Sequence, residues 1–229
     1  MKVAPFGSKP RVRVVPAAPE HAEALEQLQR TVFPNLADHE LMKAAHFRQH
    51  QHVFPEGEFV ALAADAPDGT PLPEERVVGL GSGFLVRFDL AQPDHSFNEM
   101  IAGGTYANHD PQGDWYYGAD ISVHPDYRGL GLGRALYDAR KALVRRLGKR
   151  GIVAGGQLPG YPQYRERMKL AEYVERVEAG ELTDPTLTFQ LSNGFEVYGL
   201  ISGYIEDEYT DDWASLIVWF NPDLIFPEI

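Results

Sequence analysis

The residues best able to do chemistry cluster in one stretch: Asp120, Ile121, Ser122, Val123, His124, Pro125, Asp126 and Tyr127 lead into Arg128, Gly129, Leu130, Gly131, Leu132, Gly133 and Arg134. A strand, a glycine-rich turn and a helix start are expected there in that order. Glycines at 129, 131 and 133 let the backbone approach a ligand closely. The unpaired N–H groups that open the helix then face an anion such as a pyrophosphate. A nucleotide P-loop needs Gly-Lys-Ser/Thr to reach phosphate and Mg²⁺, whereas Gly133 is followed by Arg134 and Ala135. A dinucleotide fingerprint needs a third glycine three residues beyond the second, and its two registers place Arg134 or Leu136 there. Spacing sets both nucleotide readings aside.

Charge points the same way. The chain has 229 residues with 21 Lys+Arg and 33 Asp+Glu, a formal charge of −12 that disfavours nucleic acid as a partner. Residues 128–150 nevertheless carry eight basic side chains and one acid, Asp138, a net +7 that leaves −19 for the remainder. Arg128 and Arg134 are best placed to meet phosphates. Arg140, Lys141, Arg145 and Arg146 are expected mainly off the buried stripe of that helix, formed by Leu136, Ala139, Leu143 and Leu147. The absence of cysteine excludes disulfides, thiolate metal sites and cysteine nucleophiles, and fits a cytoplasmic location. The longest mostly apolar stretch, 77–86, contains three glycines and is far short of the roughly 18–20 residues that cross a bilayer, so no membrane partner is expected. His46 and His50 share a helix face but lack the Glu of a His-Glu-x-x-His zinc motif, and no metal site is expected. The acidic run 206–212 reads as a solvated hairpin loop, with a polycationic amine or divalent ion as the functional alternative.

Elements must position these residues. After a short tail, 1–10, alternation predicts a strand over 11–15. Pro19 and Glu20 open a helix carrying Leu25, Leu28 and Val32, and Asp38 is a candidate N-cap for a second helix reaching His50. Strands are expected over 59–64 and 77–88 around a turn region, 65–73, followed by a long polar loop, 89–114. A strand over 116–123, a helix over 131–149 and a strand over 151–155 follow. Helices over 163–179 and 185–192, then strands over 195–205 and 214–220, complete a single α/β domain over 11–229.

Residues 128–133 match Arg/Gln-x-x-Gly-x-Gly/Ala, and with the preceding Val123, His124, Pro125, Asp126 and Tyr127 this stretch resembles the acetyl-coenzyme A motif of the GNAT acetyltransferases. The similarity extends to Asp184, Pro185 and the run Phe189, Gln190, Leu191, Ser192, Asn193, Gly194, Phe195, which resembles the family's final helix running into Gly-Phe. Gly113, Asp114, Tyr117, Gly118, Ala119 and Asp120, with Pro159, Gly160 and Tyr161, look most like GNAT modules fused ahead of carbon–nitrogen hydrolases, though no hydrolase segment is read in these residues. The resemblance implies a mixed, mostly antiparallel seven-stranded sheet, splayed between strands four and five and flanked by helices.

It also implies an N-acetyltransferase that moves an acetyl group from acetyl-CoA directly to an amine of a small molecule or peptide, with a homodimer among its expected assemblies. The cofactor would be held by Ile121, Ser122, Val123, Arg128, Gly129, Leu130, Gly131, Leu132, Gly133 and Arg134. The Val123 N–H would polarise the thioester carbonyl, with Ala154 and Gly155 on the other side. Asp120 is the first candidate base, although alternation sets it on the opposite face from Tyr117, Ile121 and Val123; His124, His109 and Asp110 are the others. Many relatives place a proton-donating tyrosine where this chain has Gln190. Tyr161, Tyr164 or Tyr198 would replace it, water would supply the proton, or the chain would be a catalytically weak acyl-CoA-binding or regulatory module.

Overall fold

A computed structural model describes residues 9–34, 38, 41–206 and 210–224. Seven strands, β1 (Val12–Pro16), β2 (Phe59–Asp65), β3 (Pro71–Val86), β4 (Trp115–Val123), β5 (Gly151–Gly156), β6 (Glu196–Ile201) and β7 (Ala214–Phe220), form one mixed sheet in the order β1-β2-β3-β4-β5-β7-β6. β1–β2, β2–β3, β5–β7 and β6–β7 pair antiparallel, and β4–β5 pair parallel. The helices are α1 (Ala22–Val32), α2 (Ala44–Val53), α3 (Phe97–Met100), α4 (Leu132–Arg146), α5 (Leu170–Glu178) and α6 (Leu187–Ser192). Among the described residues, no helix is long and apolar enough to cross a membrane.

Packing divides the chain into two compact units, one of residues 1–82 and 120–140, the other of 83–119 and 141–229. The first is built on Leu25, Phe47, Val60, Leu80 and Leu136, all buried. Arg11 ties its entry strand to the end of β2 through paired 2.8 Å bonds from Nε and Nη2 to the Asp65 carboxylate, which holds that carboxyl down at about 2. Asp38 caps no helix. It pairs with Arg30 and Lys43, each at 2.7 Å, and α2 starts six residues later, where the His46 ring accepts the Lys43 amide.

One expectation for the fourth helix is corrected in this unit. Arg140 is buried, its Nη1 donating to the carbonyls of Ser82 at 3.2 Å and Asp120 at 3.1 Å, with the guanidinium over the Tyr137 ring. It falls on the i, i+4 row of Leu132 and Leu136, so its position follows the helical period although its polarity does not. The buried positions of α4 are therefore Leu132, Leu136, Tyr137, Arg140, Leu143 and Val144.

The second unit centres on Trp115, Tyr116 and Tyr117, each fully buried. A Cβ on Gly83 would lie 2.2 Å from the Tyr117 carbonyl and 2.5 Å from the Tyr116 ring, so only glycine lets β3 pass these aromatics. The long polar loop contains α3, whose Ser96 side chain accepts the Glu99 amide. The helix expected over 163–179 is a 3₁₀ turn at Tyr161–Gln163 and then α5, with the rings of Tyr161 and Tyr164 packed on Tyr173 between them.

Asp184 organises this insertion. It is fully buried; Oδ1 accepts the amides of Thr186 and Leu187 at 2.8 Å, and Oδ2 accepts the Gly160 amide and the Tyr173 hydroxyl at 2.9 Å. Removing it leaves a helix end uncapped and buried donors unpaired. Asp184→Ala should cost roughly 3 kcal/mol, and Asp184→Asn less because Asn keeps one acceptor. Urea unfolding of the three proteins checks the ranking, which fails if Asp184→Ala leaves the midpoint unchanged.

Candidate active site

In the first unit, the chain leaves β4 at Val123 through a 3₁₀ turn, Pro125–Tyr127, and the buried Tyr127 hydroxyl donates to the Asp65 carbonyl at 3.1 Å. Leu130 and Leu132 pack, with Val123, onto a cluster of Ala61, Ala63, Val78 and Tyr127. The alternation has two jobs: leucines root the turn while glycines shape it. Gly129 and Gly131 have φ of +76° and +84°, a region side chains disfavour, and a Cβ at either would meet nothing within 4 Å.

The first bond of α4 runs from the Ala135 amide to the Gly131 carbonyl, and the amides of 129–134 find no partner among the described residues. Arg128 and Arg134 are exposed beside them, Arg128 Nε reaching the Val123 carbonyl at 3.2 Å. A diphosphate needs several N–H donors, positive charge and no intruding side chain, and this turn supplies all three. The His124 amide donates to Val78 on β3 at 2.8 Å; the amide of Val123, one residue earlier, therefore points to the opposite edge of β4.

Asp120 lies in the same unit with both carboxylate oxygens engaged. Gln29 Nε2 donates to Oδ2, and Ser122 Oγ donates to Oδ1 at 2.9 Å. Burial pushes this carboxyl up to about 6 against the pull of those bonds. The Ser122 hydroxyl is thus committed to Asp120. His124, beside Arg76 at 3.3 Å, is held below the usual histidine range by burial and that guanidinium. His46 and His50 do not act as a pair, since His50 Nδ1 lies 2.6 Å from the buried Glu58 carboxylate and His46 meets the Lys43 amide.

In the second unit, β4 pairs with β5 over only Trp115–Gly151, Tyr116–Ile152 and Tyr117–Val153. Ala154, Gly155 and Gly156 continue β5 with β7 as their ladder partner. Tyr204, buried after β6, fills the space beside Gly155: a Cβ on that glycine would fall 2.2 Å from the tyrosine Cζ, and the Gly155 amide bonds its hydroxyl. The Tyr204 hydroxyl is 3.0 Å from that of Tyr117, which is 2.9 Å from His95 Nε2; His95 Nδ1 is 2.6 Å from the Pro93 carbonyl. Burial raises Tyr204 to about 12, holds Tyr117 well above the ordinary tyrosine range and lowers His95.

At Gly156, a Cβ would meet Gln190 Oε1 at 2.7 Å and Ser215 Oγ at 2.8 Å, and Gln190 Oε1 is buried without a hydrogen-bond partner among the described residues. The tyrosines singled out from the sequence lie elsewhere. Tyr161 donates to the Met168 carbonyl at 3.2 Å, and Tyr198 is 45% exposed on edge strand β6 with its ring on Phe220. His109 Nδ1 accepts the Leu85 amide and Asp110 accepts Arg87, so both anchor the long loop. Sequence reasoning passed over Tyr204 and His95. The signal was there in Gly155-Gly156, two glycines inside a strand, which mark a close approach by another group.

Comparison with known proteins agrees with this geometry. The Acetyltransferase (GNAT) family profile matches residues 22–165. "Probable hydrolase YhcX" of Bacillus subtilis (strain 168) is 36% identical over 199 residues, 86% of this chain but only 36% of YhcX, so the chain spans about a third of that relative. "Uncharacterized N-acetyltransferase YkwB" of the same organism is 32% identical over 202 residues, 87% of this chain and 84% of YkwB. Among solved structures, the GphF GNAT-like decarboxylase in complex with isobutyryl-CoA superimposes with a TM-score of 0.72 at 25% identity, covering 92% of this chain and 99% of that one. A seven-stranded sheet with a parallel β4–β5 pair, a glycine turn opening α4, and matches over most of the length lead to one conclusion: the chain belongs to the acetyltransferase (GNAT) family.

Proposed function

We propose that residues 11–229 act as one domain that transfers the acetyl group of acetyl-CoA directly to an amine of a small molecule or peptide. The observation that carries this reading is the glycine turn, with its unpartnered amides, open space and flanking Arg128 and Arg134. The amides of 129–134 and the two guanidiniums would hold the phosphates. The main chain of Ile121, Ser122 and Val123, beyond the β4–β5 ladder, would pair with the pantetheine arm. The Val123 amide, aimed at that free edge, is the donor for the thioester carbonyl. Bound acetyl-CoA supplies an activated acyl thioester. No cysteine is available to carry the acyl group, which favours attack by the acceptor itself.

Asp120 acts in this reading as a positioning residue for β4, because both of its oxygens are engaged and it lies on the face opposite Ile121 and Val123. Tyr161 and Tyr198 are carried no further as proton donors, the first being committed to Met168 and the second standing on the sheet edge.

Acetyl-CoA at a hundred times its Kd should stabilise the protein by about 2.7 kcal/mol in thermal unfolding, while NAD and ATP leave Tm unchanged. Arg134→Ala should weaken acetyl-CoA binding about tenfold by calorimetry, the loss expected for one charge-assisted contact of about 1.4 kcal/mol. Absence of any acyl-CoA binding sinks the reading. Thiol release well above hydrolysis across a panel of amines excludes the catalytically weak module.

Asp120 makes a separate prediction. Its folded pKa of about 6 lies above the ordinary 3.8, so its ionised form costs stability; the cost is absent below 3.8, grows between about 4 and 6, and is complete above 6. Asp120→Asn lacks that cost. Its stability relative to wild type should rise by about 2 kcal/mol between pH 4 and pH 7, measured by urea unfolding at both. A pH-independent difference would refute the assignment.

A further inference from the structure

We infer that Arg76 on β3 and His124, just past the end of β4, form a subsite for a phosphate monoester beside the glycine turn, apart from the amides that open α4. The inference deepens the acetyl-CoA reading above and rests on it for its ligand, since the phosphate on the coenzyme's ribose is the monoester which that reading brings to the turn.

Both ring nitrogens of His124 face hydrogen-bond donors. Nδ1 accepts the Asp126 amide at 3.3 Å, the bond that caps the 3₁₀ turn, and Arg76 Nη2 stands 3.3 Å from Nε2. A neutral imidazole whose Nδ1 accepts carries its hydrogen on Nε2, and a guanidinium only donates. Nε2–H and Nη2–H therefore meet with no acceptor between them. The other tautomer moves the conflict to Asp126, whose amide the turn holds in place and whose Oδ2, 3.8 Å from Nδ1, is beyond hydrogen-bond distance. Protonating the ring makes donors of both nitrogens. A single oxygen that accepts from Nε2–H and Arg76 together removes the conflict in the tautomer that the cap selects.

Charge makes that oxygen part of an anion. Arg76 and Arg128 are exposed, both act on the His124 ring, and among the described residues neither is paired with a carboxylate. Asp126, itself exposed, is the acid that faces the ring; Asp65 is taken by Arg11, and Tyr127 lies edge-on to the imidazole. Burial first, and then the guanidiniums, hold the histidine below its usual range. A bound dianion offsets the guanidiniums and favours an imidazolium that donates to it. Arg76, His124 and Arg128 belong to one compact unit, and the His124 side chain keeps 10% of its surface, so an anion reaches the pair from solvent. A monoester suits it: three terminal oxygens can serve Nε2 and Arg76 at once, while the amides of 129–134 are left for a diphosphate.

Calorimetry with CoA and with dephospho-CoA, which lacks the ribose phosphate, tests this. Arg76→Ala and His124→Asn should each weaken CoA about tenfold and leave dephospho-CoA within about twofold. Asn at 124 keeps an acceptor for the Asp126 amide and removes Nε2; thermal unfolding checks that each variant is folded. In the wild type without ligand, ¹⁵N NMR should show His124 as the Nε2–H tautomer, and CoA should raise its pKa where dephospho-CoA does not; both readings stand even if a variant does not fold. Inorganic phosphate added to the dephospho-CoA complex should raise the His124 pKa in the wild type and not in Arg76→Ala. If phosphate does so while CoA and dephospho-CoA bind alike, the subsite holds and its ligand is a free phosphate. An Nδ1–H tautomer, equal losses for CoA and dephospho-CoA in the variants, or a His124 that responds to neither CoA nor phosphate overturns the subsite alone. A wild type that binds neither CoA nor dephospho-CoA, with His124 still answering to phosphate, overturns the acetyl-CoA reading and leaves the subsite standing.

Discussion

Parallel pairing between β4 and β5 lasts three residues and then stops, and backbone groups past that point must find partners other than a neighbouring strand. On β5, the Gly155 amide finds the Tyr204 hydroxyl. That bond fixes Tyr204, which fixes Tyr117 and through it His95. The long loop is tied to the segment after β6 by two bonds: the Phe97 amide donates to the Tyr204 carbonyl at 2.6 Å, and the Ser202 amide to Asp94 at 2.9 Å. A shortened ladder thus accounts for two glycines in a strand, a buried aromatic cluster and the path of the 89–114 loop.

The glycine turn solves a different problem, presenting backbone donors without a strand or helix to consume them. Its amides stay free because they open a helix, and the turn stays ordered because Leu130 and Leu132 are held in the cluster with Val78 and Tyr127. Charge is arranged to match. Within a chain of −12, residues 128–150 carry a net +7, and of these cations Arg128 and Arg134 stand exposed beside the turn while Arg140 is buried on the Ser82 and Asp120 carbonyls.

Much of the fold was legible because its signals are local. The bounds expected for β1, β2, β4 and β7 lie within a residue or two of those in the structure, and the strand–glycine–helix order located the turn. Legibility failed where a residue's partner is distant in sequence. Arg140 reads as one more cation in a basic run, and only the carbonyls of Ser82 and Asp120 reveal it as a buried donor. Tyr204 reads as part of the strand expected over 195–205, whereas β6 ends at Ile201 and leaves Tyr204 buried beyond it, while Tyr161 and Tyr198 sit near plausible motifs and prove to be packing and edge residues. Asp38 has the composition of an N-cap, but two cations claim it first.

The sequence by itself determined the family, the order of elements and the position of the glycine turn, since these depend on residue type and short-range spacing. Only the tertiary structure decided which ionisable groups are buried and which partners hold them. That property depends on burial and on hydrogen bonds between residues such as 95, 117 and 204, or 29 and 120, which chain folding alone brings within 3 Å.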